Sequence, residues 1–92
     1  MDKFKTIHSI LVNLEGEMNK DIANTKVISS EALKIDESTW VNILEMLVDE
    51  GYIKGVKICN TLATKYVAMD NVRITMKGLK YLHDDEDMKQ FD

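Results

Sequence analysis

Seven side chains in this 92-residue chain have the chemistry to hold a charged, hydrogen-bonding polymer: Ser38, Thr39 and Asn42 in one short stretch, then Lys54, Lys57, Lys65 and Arg73. An asparagine amide carries a donor and an acceptor side by side, the pattern that pairs with an adenine edge, and hydroxyls can serve either base. Lysine and arginine supply the cations that neutralise phosphates. Double-stranded DNA is therefore the expected ligand class for these seven. Other chemistry lacks its residues. Cys59 is the single cysteine, which excludes an intramolecular disulfide and a multi-cysteine metal site. His8 and His83 stand near opposite ends of the chain, so no metal-ligand spacing forms. There is no glycine-rich phosphate loop and no Ser/His/Asp grouping, so no catalytic residue, cofactor or metal is expected.

The elements that must position these residues follow from apolar spacing. Phe4, Ile7, Leu11, Leu14 and Met18, with Ile10 beside them, recur at three and four, which predicts a helix from about residue 3 to about residue 15, capped by Asp2 and ended by Gly16. The periodicity fades from Glu17 to Thr25, predicting loop or a weak turn. Val27 and Ile28 read as a short extended pair, and Ser29 or Ser30 caps a short helix ending near Ile35. Asp36 caps the clearest helix, with Trp40, Ile43, Leu44, Leu47 and Val48 on its apolar stripe and Gly51 as its stop. Opposite that stripe stand Ser38, Asn42, Glu45 and Asp49, flanked by Thr39 and Met46. Beyond Gly51 the period becomes two. Tyr52 to Cys59 is a strand that buries Ile53, Val56 and Ile58 if Gly55 sits at a bulge, with Lys54 and Lys57 outward. Asn60 to Thr64 is the hairpin tip, Lys65 to Met69 the antiparallel return, and Asp70-Asn71 a turn toward Val72-Arg73-Ile74. Leu62 at the tip either folds back onto the sheet or meets a groove or partner. Thr75 caps a last helix carrying Met76, Leu79 and Leu82. Gly78 inside that helix costs about 1 kcal/mol relative to Ala, which a close approach to another backbone would explain. Four carboxylates, Asp84 to Asp87, then read as the start of a solvated, frayed tail, since the macrodipole disfavours them at a helix C-terminus.

This order is that of a winged helix-turn-helix, and two segments sharpen it. Glu50-Gly51-Tyr52-Ile53-Lys54-Gly55-Val56 and Ile74-Thr75-Met76-Lys77-Gly78-Leu79-Lys80-Tyr81-Leu82 resemble the YjcQ-type family of small winged-helix proteins of Gram-positive bacteria and their prophages. The likeness covers roughly residues 4 to 83 and departs from the family over about residues 17 to 28. It implies the fold and a phage or prophage association, and brings no established activity or catalytic residues. The expected fold class is α+β, mainly α: a winged helix-turn-helix with a three-helix core, a β-hairpin wing and a C-terminal helix over residues 1–83, followed by an acidic flexible tail, 84–92.

Composition fits one soluble domain, at 45% hydrophobic and 30% charged residues, with no apolar run long enough to span a bilayer. No membrane partner is expected. Met1-Asp2-Lys3-Phe4 opens no apolar leader, so the expected location is cytoplasmic. The net charge of −4 speaks against nucleic acid as an average, but its distribution does not. Residues 1–50 carry −5, residues 51–83 carry +5 and residues 84–92 carry −4. A basic hairpin and final helix thus lie between an acidic helical half and an acidic tail. The helix from Asp36 to Glu50 holds no Lys or Arg, which supports an alternative: a protein-protein interaction module with the acidic third helix and tail as its contact surface. A homodimer is a further expected partner, since one such module contacts only a short half-site of DNA.

Overall fold

A computed structural model describes residues 3–91. Helix α1 (Lys3–Glu15) forms where expected, and Ile7, Ile10, Leu11 and Leu14 turn one face into the core. Phe4 and Met18, expected on the same stripe, remain 51% and 47% exposed, because the core covers only the middle of that face. The Asp2 cap falls outside the described residues. Residues Thr25–Ile28 form a 3-10 turn and not the expected extended pair. The cause is local: the Asn24 side chain accepts from Lys26 N, and Val27 N donates to Asn24 O. Ile28 is still fully buried.

Helix α2 (Ser30–Leu33) is capped by Ser29, whose hydroxyl accepts from Ala32 N, and ends at Lys34 in the left-handed conformation at φ 58°. Helix α3 (Glu37–Asp49) starts at the Asp36 cap and buries Val41, Ile43, Leu44 and Leu47. Trp40 and Val48 are only half-buried. The Trp40 indole lies at the core edge and donates from Nε1 to Ile28 O at 2.8 Å, which ties α3 to the 3-10 turn. Gly51 follows at φ 78°, a conformation that ends a helix without a Cβ penalty.

Strands β1 (Ile53–Asn60) and β2 (Lys65–Ile74) form one antiparallel hairpin. Ile53, Val56 and Ile58 face the core side as expected. The irregularity lies where Gly55 stands, but the extra residues are on β2: Lys54 pairs with Arg73 and Val56 with Met69, so Gly55 faces residues 70–72. Asp70-Asn71 is therefore a bulge inside a continuous strand and not a turn between two segments. Asn71 takes φ 51°, and Gly55 at φ 85° lies so close to the Asp70 and Asn71 carbonyls that no Cβ fits.

Helix α4 (Met76–Asp84) begins at Thr75, whose hydroxyl accepts from Gly78 N. The close approach expected at Gly78 is present: its Cα faces the Tyr52 carbonyl, which also accepts from Thr75 N at 3.0 Å. Beyond it the chain does not fray. Helix α5 (Glu86–Lys89) starts at Asp85, whose carboxylate accepts from Asp87 N and Met88 N, and Met88 is fully buried in the core. Asp85, Glu86 and Asp87 thus serve a helix N-terminus, where the macrodipole favours them. Phe91 packs against the core, its ring 5.5 Å from that of His8. The expected flexible tail is folded onto α1 through residue 91. The resulting α+β layout, helices flanking a two-stranded hairpin, is compatible with a winged helix.

Candidate nucleic-acid interface

The start of α3 is fixed by three bonds before any ligand is considered. Asp36 accepts from Thr39 N at 3.1 Å and from Thr39 Oγ1 at 2.8 Å. These two bonds, the side-chain one foremost, hold its carboxyl below the ordinary 3.8. Ser30 Oγ donates to Glu37 Oε2 at 3.2 Å, linking α2 to α3. Thr39 therefore belongs to the cap, with its hydroxyl proton already committed. Ser38 and Asn42, one turn apart, are exposed on the same side of the helix.

Lys65 reaches this face from the hairpin. It pairs in register with Asn60, and Ile58 with Val67, so two-residue alternation places Lys65 on the face that turns toward α3. Its ammonium lies 3.3 Å from Glu45 Oε1, with both side chains partly exposed. Between α3 and the hairpin opens a cleft of about 250 Å³, lined by Glu37, Ser38, Val41, Asn42, Thr64 and Lys65. Of the seven sequence-selected residues, Ser38, Asn42 and Lys65 are brought together here. Thr64 was not among them, and only its place at the hairpin tip hinted at it.

The other four lie elsewhere. Lys54 and Lys57 are exposed on the opposite face of the hairpin and do not form a group with Lys65. On that same face, Cys59 stands opposite Tyr66, and its hydrogen bond raises the Tyr66 phenol above its ordinary 10.0. Arg73 is turned toward the loop after α1. Its guanidinium donates to Glu17 O at 2.8 Å and also to Lys20 O and Asp21 O, so the loop after α1 occupies the cation that was expected to face phosphate. Leu62 does not fold back onto the sheet: it is fully exposed on a tip held by Thr61, whose Oγ1 accepts from Ala63 N and Thr64 N.

The cleft can offer an amide and a hydroxyl for base edges and one ammonium for phosphate, with Glu45 as an internal counter-ion that a phosphate must displace. His83 Nε2 lies 2.6 Å from Glu15 Oε2. Among the described residues, no group of three metal-ligating side chains occurs, and no helix is long and apolar enough to cross a membrane. A family model described as YjcQ protein matches residues 8–91. No curated protein and no solved structure matches the chain.

Proposed function

The chain belongs to the YjcQ protein family, and from its cleft between α3 and the hairpin we propose that it is a non-catalytic winged-helix protein that binds double-stranded DNA. The observation that carries this reading is the convergence of Ser38, Asn42, Thr64 and Lys65 on one cleft beside the start of α3. In this reading the N-terminal half of α3 enters the major groove and the hairpin lies along the adjacent backbone. A role in phage or prophage biology and a cytoplasmic location belong to the same proposal. Affinity is weak for a single copy, because one ammonium facing the cleft gives a small phosphate contribution.

Fluorescence anisotropy with random duplex at low salt tests the reading. Binding at micromolar protein is expected, with affinity falling as salt rises. Lys65→Ala should reduce the salt slope by about one counterion, whereas the pair Lys54→Ala and Lys57→Ala should change it less. Glu45→Gln should strengthen binding, since it frees Lys65. Absence of binding at tens of micromolar protein overturns the proposal.

The exposure of Met46 between Glu45 and Asp49 favours a second reading, a protein-interaction module that uses the outward face of α3. A protein recovered by pull-down and lost on Glu45→Lys with Asp49→Lys would support it. Retention after those changes would count against α3 as the contact.

A further inference from the structure

A cleft larger than the DNA-facing one lies away from the hairpin. Helix α1 packs on the Thr25–Ile28 turn more than on α2, and the space left between α1 and the end of α2 is a cleft of about 420 Å³. Its walls are residues of α1 between Lys5 and Asn13 and the segment from Ala32 to Ile35. It shares no residue with the DNA-facing cleft, although only Asp36 separates Ile35 on its wall from Glu37 on the other. A concavity of this volume takes a small molecule.

The lining says which molecule. The chain has 16 acidic residues, yet no described one lines this cleft, whereas Lys5, His8 and Lys34 do. The carboxylates next to it in sequence are placed elsewhere: Asp36 accepts from Thr39, Glu37 accepts from Ser30, and Glu31 is not part of the wall. Lys5 and His8 also take part in other interactions of the chain, but Lys34 forms no ion pair among the described residues. Its backbone stands at φ 58°, a conformation that favours glycine or asparagine, so an ammonium is set at the cleft at a cost in backbone strain. Ser9 has its hydroxyl proton on Lys5 O at 3.1 Å and Asn13 an amide proton on Val27 O at 2.8 Å, so the donors left for a ligand are chiefly the ammoniums. Val12, Leu33 and Ile35 supply an apolar wall, with Val12 40% exposed. Cations beside an apolar wall fit an anion that carries an apolar group.

We propose that this cleft binds a small phosphomonoester, with its phosphate on Lys34 and Lys5 and its organic group against Val12, Leu33 and Ile35. A phosphomonoester carries about −1.5 to −2 charges at neutral pH, which two ammoniums match, whereas a carboxylate carries a single charge. Lysine meets phosphate as a point charge and needs no planar fork, and the chain's one arginine, Arg73, is committed to the loop after α1. The site stands on its own lining and does not rest on the DNA reading.

Amide chemical shifts of the isotope-labelled full chain, titrated with phenyl phosphate to about 10 mM, test the proposal. Saturable shifts are expected at residues 5–13 and 32–35, with phenol giving none and with benzoate and inorganic phosphate each binding several-fold more weakly. Lys34→Gly removes the ammonium and gives the left-handed backbone the residue that suits it best. It should therefore bind at least about tenfold more weakly with no loss of thermal stability, which separates a lost site from a lost fold. Val12→Asp, which sets a carboxylate in the cleft, should abolish binding. Full binding by either variant would overturn the site, and so would shifts confined to other lysines or no saturable shift at all. Phenol, benzoate or inorganic phosphate binding as well as phenyl phosphate would overturn the assigned ligand class. Failure of DNA binding in anisotropy, with these shifts present, would refute the functional reading and leave this one standing.

Discussion

Replacing Gly78 by alanine sets two physical effects against each other with opposite signs. By helix propensity alone, Ala in the interior of α4 should stabilise the protein by about 1 kcal/mol. The structure predicts the reverse. A Cβ at this position would stand 2.8 Å from Ile74 Cγ1 and 3.0 Å from the Tyr52 carbonyl carbon, with the carbonyl oxygen nearer still. Carbon atoms settle at about 3.5–4.0 Å, so both neighbours must retreat by more than half an ångström. Ile74 can turn its side chain only within a buried site at 6% exposure. The Tyr52 carbonyl is backbone, and moving it strains the Thr75 N bond at 3.0 Å that starts α4. Overpacking costs about 1–3 kcal/mol and a weakened, part-buried hydrogen bond about 1 kcal/mol more. Set against the propensity gain, the net loss is about 1–3 kcal/mol. For a domain of this size that lowers the melting temperature by roughly 5–20 °C. Urea unfolding followed by tryptophan fluorescence measures it directly, as a lower midpoint at unchanged slope. Equal or greater stability of Gly78→Ala would refute the close-approach account of this glycine.

Four further outcomes can be checked with the same material. Arg73→Lys keeps the charge but loses the planar fork that serves three carbonyls; amide exchange should speed up over residues 17–23, and an unchanged pattern would remove the clamp from the account. Trp40→Phe leaves Ile28 O without its 2.8 Å partner and should cost about 1–2 kcal/mol in urea unfolding, so a neutral effect would mean the indole bond contributes nothing. Met88→Ala opens a cavity at a fully buried site and should cost about 2–5 kcal/mol, whereas a solvated segment would tolerate it. Asp36 has a folded pKa below its ordinary 3.8, so its stabilising bonds are intact above that value and lost as pH falls through the folded one. Stability measured down this acid range should therefore fall less steeply in Asp36→Asn than in the parent chain, and matching slopes would refute the cap's titration.

The elements with long apolar periodicity were legible in the sequence, and so were their punctuation marks. The stripes of α1 and α3, the caps at Asp36 and Thr75, the stop at Gly51 and the tight contact at Gly78 each follow from one residue type meeting one geometric need. The errors share a different physics. Four carboxylates in a row concealed Met88, since a single apolar anchor on a four-residue helix has no period to detect. The extended reading of Val27-Ile28 failed because β-branched residues suit a strand only where a strand partner exists, and here the Asn24 bonds come first. The site was legible by composition and not by arrangement. Ser38 and Asn42 share a helix face, which helical spacing reveals, but the side of the hairpin on which each lysine stands depends on cross-strand register. Arg73 was the hardest case: its partners are backbone carbonyls, which leave no mark in a sequence.

The folding of residues 86–91 onto α1 bears on how the protein is made. Helix α1 precedes every other element, and although the turn at Thr25–Ile28 packs on it early, the rest of its cover belongs to β2, α4 and α5, all in the second half of the chain. The His8–Phe91 ring contact and the Glu15–His83 pair join the two ends of the chain directly. An amphipathic helix made first and covered in large part by later elements keeps much of its apolar face in water until they arrive. Its core can therefore close only once residues 65–91 are in place, so the two halves of this domain fold as one unit and not in sequence.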